Sequence, residues 1–389
     1  MIAKPSPIEI GAASGSERSP RFGYHAALDG MRAVCVLSVI IFHSPLGFSI
    51  PNTQMYFLVG GFLGVDGFFV LSGFLITTLL VEEWEFKKKI SLRRFYLRRA
   101  LRLLPALGVV LAAGAVYAAV WARADEVEAI LRGVFASLAY CSNFLAAAGK
   151  NLHMFVHTWS LSTEEHFYLI WPLALYAMLR AGWRRSTIVA VVALGICASA
   201  GWRAWLWTTG APIPRLFYAP DMRADALLMG CLFALLRSWK MLPTTPLWRP
   251  AFRCVAVVAA LYLGYRLMTA QVIMPQIYQG ELTAIALAFA VVILELVDRP
   301  SKPVAWALEN RVMVWLGRVS YGLYLWHPLI IYFGRVHGPP AGIEGSANHL
   351  AQAVSLLAIV AASFYFVERP CLRLKRKFEV QVAQSRREK

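Results

Sequence analysis

LDGMRAVCVLSVIIFHSP, residues 28–45, is a nearly unbroken apolar run with an arginine near its start and a histidine near its end. Read as a helix, its Arg32 and His43 lie roughly 16 Å apart along the axis and only about 20° apart around it. Both polar side chains therefore leave the same stripe at different depths. An apolar helix that keeps two ionisable groups on one face is facing something other than lipid.

The surroundings of this run are of the same kind. Of the 389 residues, 58% are hydrophobic and 16% charged, and the mean hydropathy is +0.55. Soluble domains sit nearer 45–50% apolar and about a quarter charged, so the chain reads as an all-α polytopic membrane protein. Further apolar runs lie near 62–82, 103–121, 159–179, 187–207, 222–238, 252–270, 277–297, 313–334 and 349–367. Each is close to the ~20 residues that cross a ~30 Å hydrocarbon core. About ten helices in one bundle are expected, with both termini cytoplasmic. Residues 1–27, polar and Ser/Pro-rich, are expected to form a disordered cytoplasmic tail, residues 28–370 the bundle, and residues 371–389 a second, basic tail. The longest connection is 122–158, with a stretch inside it, 126–148, apolar enough to lie in or dip into the membrane surface.

The formal charge of +17 resembles a nucleic-acid signal until its distribution is read. With the N-terminus inside, roughly four-fifths of the Lys and Arg residues fall on inner segments, the asymmetry that orients a membrane protein. The charge thus sets topology, and nucleic-acid binding is excluded. The six cysteines have no metal-type spacing, so no metal site is expected, and they read as small buried hydrophobes.

Several ionisable groups come to one level. Counting inward at 1.5 Å per residue places His43 roughly 9 Å from the outer face of a ~30 Å core, Asp66 about 6 Å deep and Glu164 and Glu165 near 8 Å. His327 lands close to the level of His43. Such residues usually face the bundle interior and mark a site or a pathway. Each also has a plainer reading. His327 can serve an interhelical hydrogen bond, Asp66 can cap the entrance of its span, and Asp29 can pair with Arg32 three residues on. On the inner side, Arg98, Arg99 and Arg102 overlap on one helical face. Forked guanidinium groups suit phosphate, although basic residues here also serve topology.

The strings LDGMRAVCVLSVIIFHS, GVDGFFVLSGFLI, FYLRRALRLLP, TWSLSTEEHFYLIWP, RADALLMGCLFALL, VSYGLYLWHPLII and FVERP, running in order from Leu28 to Pro370, resemble the acyltransferase-3 family of integral membrane acyltransferases. The family's arginine–ten residues–histidine pattern falls on Arg32 and His43. Its arginine pair falls on Arg99 and Arg102, and its tryptophan–serine–leucine–glutamate element on Trp159, Ser160, Leu161 and Glu164. The resemblance implies transfer of an acyl group, mostly acetyl, from cytoplasmic acyl-CoA to a hydroxyl of a glycan, glycolipid or antibiotic, with no permanently bound cofactor. It also implies the form without an appended soluble domain, in the bacterial cytoplasmic membrane.

On that basis Arg32, Arg98, Arg99 and Arg102 are expected to clamp the acyl-CoA phosphates at the inner mouth. The thioester arm then runs up the stripe from Arg32 to His43. His43 is the expected general base, with Asp66 or Glu164 orienting its imidazole. Ser160, Trp159, Glu165, Tyr321 and His327 are candidates for acceptor or oxyanion contacts. Trp202, Trp205, Trp207 and Tyr218 fit either sugar stacking or the interfacial aromatic belt. A lipid or macrolide acceptor stays open, as does a different class, an anion or sugar transporter, for which an arginine–histidine face is the pathway.

Overall fold

The computed structural model describes residues 22–44, 58–243, 245, 247–298, 300–338 and 343–371. Of the expected tails at 1–27 and 371–389, residues 1–21 and 372–389 lie outside the described residues, as does Pro45 at the end of the first apolar run. The described chain is helical, with no strand among the described residues. In order come α1 (Ala26–His43), α2 (Gly64–Lys87), α3 (Leu92–Val120), α4 (Ala124–Leu138), α5 (Ser142–Ala147), α6 (Trp159–Arg180), α7 (Arg185–Thr208) and α8 (Ile213–Tyr218). They are followed by α9 (Ala224–Ser238), α10 (Trp248–Thr269), α11 (Leu282–Asp298), α12 (Lys302–Leu308), α13 (Arg311–Arg318), α14 (Ser320–His337) and α15 (Ile343–Ser363).

The expected spans fall largely on helix, and among the described residues seven helices are long and apolar enough to cross a membrane on those grounds alone. The expected segments outside that set are where the polar groups collect. α6 carries Glu164, Glu165 and His166, α9 is only 15 residues long, and α14 carries His327, Arg335 and His337. The span expected at 313–334 is divided. Asn310 caps α13 by accepting from the backbone N–H groups of Val312 and Met313 at 3.1 and 3.0 Å, and the chain turns at Val319 before α14 begins. Gly317 on α13 lies against the backbone of Asp29, so close that a Cβ would overlap it.

The centre is α2 against α9, the most extensively packed pair of elements. A Cβ at Gly73 would run into the carbonyl of Leu227, and one at Gly230 into that of Val70. The two backbones therefore touch, the way helices gain packing in lipid, where no hydrophobic drive separates them from solvent. α1, α7 and α11 flank this pair. α10 and α15 show many large exposed apolar residues, Val258 and Leu261 on one and Leu350 and Val354 on the other, as lipid-facing outer helices do.

The packed chain starts before residue 28, inside the segment expected as a tail. Phe22 packs on the core, and the Tyr24 hydroxyl donates to Asp29 at 2.8 Å while accepting from Arg318 at 3.0 Å. The long connection 122–158 is also ordered. Its apolar stretch forms α4 and α5, after which a 3-10 helix, His153–Thr158, turns back into the bundle.

Candidate active site

A cavity of about 320 Å³ opens between α1, α2, α3, α6 and α14. Arg32, Arg98, Arg99 and Arg102 line it together with Glu83, Glu164 and Glu165, and Ser160, Ser320, Tyr321 and Tyr324 also face it. The four guanidinium groups expected at the donor end thus share one chamber, although their surroundings differ. Arg32 reaches Asp29 at 3.4 Å, the plainer pairing that its spacing allowed. Arg99 donates to Glu165 at 3.2 Å and lies flat on the Tyr168 ring at 3.2 Å, so it is held by the protein itself. Arg98 and Arg102, one turn apart, make no hydrogen bond or ion pair with any described residue, and Arg102 is exposed. Those two are the open guanidinium groups.

The carboxylates do not orient His43. Both oxygens of Asp66 accept from Nη2 of Arg223 at 2.8 Å, with both side chains 1% exposed. This replaces the expected role of Asp66, because a carboxylate buried this deeply is retained only against a matched cation. Arg223 lies over the rings of Phe217, Trp159 and Phe69 at 5.2, 5.5 and 5.9 Å. Trp159 is thereby a wall of that ion pair, buried on Phe69, Phe217 and Tyr218, and is not an acceptor contact. A second buried pair lies alongside: Arg203 donates to both oxygens of Asp225 at 3.0 and 2.8 Å, and the Thr283 hydroxyl donates to the same carboxylate at 2.5 Å. Glu164 accepts from the Ser72 hydroxyl at 2.7 Å and faces the cavity.

His43 instead donates from Nδ1 to the carbonyl of Val39 at 2.9 Å. Its ring centroid is 5.1 Å from that of His327, which is fully buried on α14. The expected common level of the two histidines is therefore a direct neighbourhood. A third imidazole joins them: His157, on the 3-10 helix, lies 5.5 Å from His327. Reading the 122–158 segment as a connection missed it. The available signal was a histidine two positions ahead of the Trp159–Ser160–Leu161 element.

Tyr324 borders both the cavity and this cluster. Its ring packs on His157 and His327 at 5.5 and 5.6 Å, and its hydroxyl donates to the carbonyl of His157 at 2.8 Å. Because that proton is committed, Ser160, 2.6 Å from the same hydroxyl, donates to Tyr324 and has no second hydrogen to offer an oxyanion. Tyr321 likewise donates to the carbonyl of Leu103 at 3.1 Å. No histidine lines the cavity itself, and Tyr324, which does, packs against His157 and His327.

The aromatic residues expected near the outer side divide. Trp202 and Trp205 are exposed, stack on each other at 4.8 Å and continue the exposed stripe of Val191 and Leu194 on α7, which is the placement of an interfacial belt. Trp207 turns inward onto Tyr278 at 5.1 Å, and Tyr218 packs on Trp159.

Comparison with known proteins agrees with this architecture. The model of an acyltransferase domain, that of the acyltransferase-3 family, matches residues 25–368. The chain is 33% identical over 382 residues to the peptidoglycan O-acetyltransferase OatA of Listeria monocytogenes, covering 91% of this chain and 57% of that protein. It is 33% identical over 364 residues to the putative peptidoglycan O-acetyltransferase YrhL of Bacillus subtilis, covering 89% and 55%. It is 31% identical over 374 residues to a putative O-acetyltransferase of Staphylococcus aureus, covering 92% and 58%. The chain thus spans little more than half the length of these relatives. No solved structure matches it significantly. The chain belongs to the acyltransferase-3 family and is an all-α, multi-pass membrane protein.

Proposed function

From that membership we propose that the protein is a membrane O-acyltransferase. In this reading it takes an acyl group, acetyl in the first instance, from cytoplasmic acyl-CoA and passes it to a hydroxyl of a cell-wall glycan on the outer side of a bacterial cytoplasmic membrane. The observation that carries the reading is the shared chamber of Arg32, Arg98, Arg99 and Arg102, which Tyr324 also lines while packing on the histidine cluster. With ten crossings and the N-terminus inside, the arginines lie toward the inner side and His43 toward the outer, a reading supported by the segregation of Lys and Arg. The glycan acceptor is supported by two of the relatives, those of Listeria monocytogenes and Bacillus subtilis, which are named for peptidoglycan.

The donor phosphates meet Arg98 and Arg102 first, since a guanidinium without a protein partner offers its whole fork to phosphate. Arg99, stacked and paired, holds Glu165 and the shape of the mouth. The acyl-pantetheine arm fills the cavity toward Ser160 and Tyr324. For reaction, the Tyr324 side chain has to let the thioester carbon meet the acceptor oxygen. His43 Nε2 takes the hydroxyl proton as the new C–O bond forms. The C–S bond then breaks, and the imidazolium returns that proton to the departing thiolate, releasing CoA as its thiol. Val39, by accepting from Nδ1, fixes the ring so that Nε2 carries the lone pair.

The test is purified full-length protein in nanodiscs, labelled acetyl-CoA and soluble peptidoglycan fragments. Label appearing on glycan together with one free thiol per transfer is expected. Movement of solute without release of CoA would place the protein among carriers instead.

A further inference from the structure

All three imidazoles of the cluster are tied down through the same ring nitrogen. Nδ1 of His43 contacts the carbonyl of Val39, Nδ1 of His157 that of Met154 at 2.9 Å, and Nδ1 of His327 that of Leu323 at 3.2 Å. A carbonyl oxygen only accepts, so each Nδ1 carries the hydrogen, and each neutral ring presents Nε2 as a bare lone pair. Nε2 of His157 and Nε2 of His327 are both buried and meet no donor among the described residues. Buried polar atoms are normally satisfied, and an unsatisfied pair side by side needs an explanation.

The complement of two bare lone pairs is a group that brings hydrogens. An oxyanion is repelled by them, so His327 in this form is no oxyanion donor. We propose that His157 and His327 form a hydroxyl-binding site, whose Nε2 atoms accept the O–H groups neighbouring the reacting one and so hold the reacting hydroxyl beside His43, its own hydrogen free for His43 Nε2. The inference deepens the acyl-transfer reading and rests on it. Two acceptors on adjacent rings suit a polyol, with neighbouring hydroxyls on one sugar, better than a lone alcohol.

Two observations place this site where an acceptor arrives. First, the Tyr324 ring packs on both imidazoles and Tyr324 lines the cavity, so an alcohol held there lies one side chain from the donor chamber. Second, the 3-10 helix and α14, which carry His157 and His327, also carry a polar–aromatic group further along. His153 packs edge-on to Tyr332 at 4.5 Å, the Tyr332 hydroxyl donates to Glu126 at 2.7 Å, and Tyr117 packs on Tyr332 at 5.9 Å. Aromatic faces beside a carboxylate are suited to the apolar faces and hydroxyls of a sugar.

The experiment measures transfer of label from acetyl-CoA to soluble peptidoglycan fragments by the full chain in nanodiscs, with the KM of each substrate determined separately. His157→Phe and His327→Phe keep a ring and remove the lone pair. Each is expected to raise the glycan KM about ten-fold, the loss of a hydrogen bond or two, and to leave the acetyl-CoA KM unchanged. His157→Gln and His327→Gln restore an accepting oxygen and part of the affinity. Should a Phe variant fail to give a monodisperse protein, the Gln variants decide together with fragments whose hydroxyls are methylated, which are expected to compete weakly. An unchanged glycan KM means the lone pairs hold water only and overturns the proposal. A parallel rise in the acetyl-CoA KM assigns the cluster to the donor and overturns it too. Wild-type protein that transfers no label would sink the acyl-transfer reading and this site with it.

Discussion

Arg99 and Arg102 are three residues apart on one helix face and have different tasks, because their neighbours differ. Arg99 is 18% exposed, paired to Glu165 and stacked on Tyr168, so Arg99→Ala leaves a half-buried carboxylate without its cation. Lower thermal stability, read as a melting temperature in detergent, is the expected result. Arg102 makes no hydrogen bond or ion pair with any described residue. Arg102→Ala is expected to keep the melting temperature and raise the acetyl-CoA KM by about ten-fold or more, since charge-assisted hydrogen bonds contribute ~1.5–3 kcal/mol; equal effects of the two substitutions on both readouts would refute the division. His43→Ala removes the proposed base and is expected to lower glycan transfer ~10²–10⁴-fold with the protein still monodisperse. Spacing placed Arg98, Arg99 and Arg102 on one face, and the family resemblance added Arg32. Neither could say which were already occupied, because the partners Glu165 and Tyr168 are 66 and 69 positions further along the chain than Arg99.

Between elements, the decisive contacts are the backbone-to-backbone crossing of α2 and α9 and the Asp66–Arg223 pair beside it. Removing one member of a buried pair strands the other charge, at a cost of ~3–5 kcal/mol. Asp66→Ala is therefore expected to reduce folded protein in the membrane, whereas Asp66→Ala with Arg223→Met, which removes both charges, recovers much of it. A full-yield, inactive Asp66→Ala protein would instead return Asp66 to the chemistry. The contact of α4 with α14 adds a pH dependence. Tyr332 donates to Glu126, and the backbone N–H of Arg123 does so as well, which together hold the Glu126 carboxyl below the usual carboxylate range. A depressed carboxylate stabilises the fold above its unfolded value, ~4.3. That contribution is lost as pH falls through the folded value. Hydrogen exchange across Ala124–Leu138 should accelerate as pH drops below ~4.3, after correction for intrinsic exchange, and Tyr332→Phe should remove that dependence.

For the molecule as a whole, the segregated basic charge predicts that the Lys150 side is outside and the Lys88 side inside. In a protein cleared of its native cysteines, Lys150→Cys is expected to react with an impermeant thiol reagent added to intact cells, and Lys88→Cys only after lysis. The reverse pattern would invert the proposed route of donor and acceptor. The membrane class, the helical segments, the orientation signal and the candidate arginines and His43 are all legible in the sequence. Apolar length, periodicity and charge asymmetry are local properties that neighbouring residues settle among themselves. What only the tertiary structure decided is which polar groups meet. Asp66 finds Arg223 157 positions away and not His43, and Tyr324 lines the chamber and packs on two of the imidazoles. His157, from what read as a connection, completes the cluster, because burying a polar group in an apolar bundle requires a partner, and the partner's distance along the chain carries no local signal.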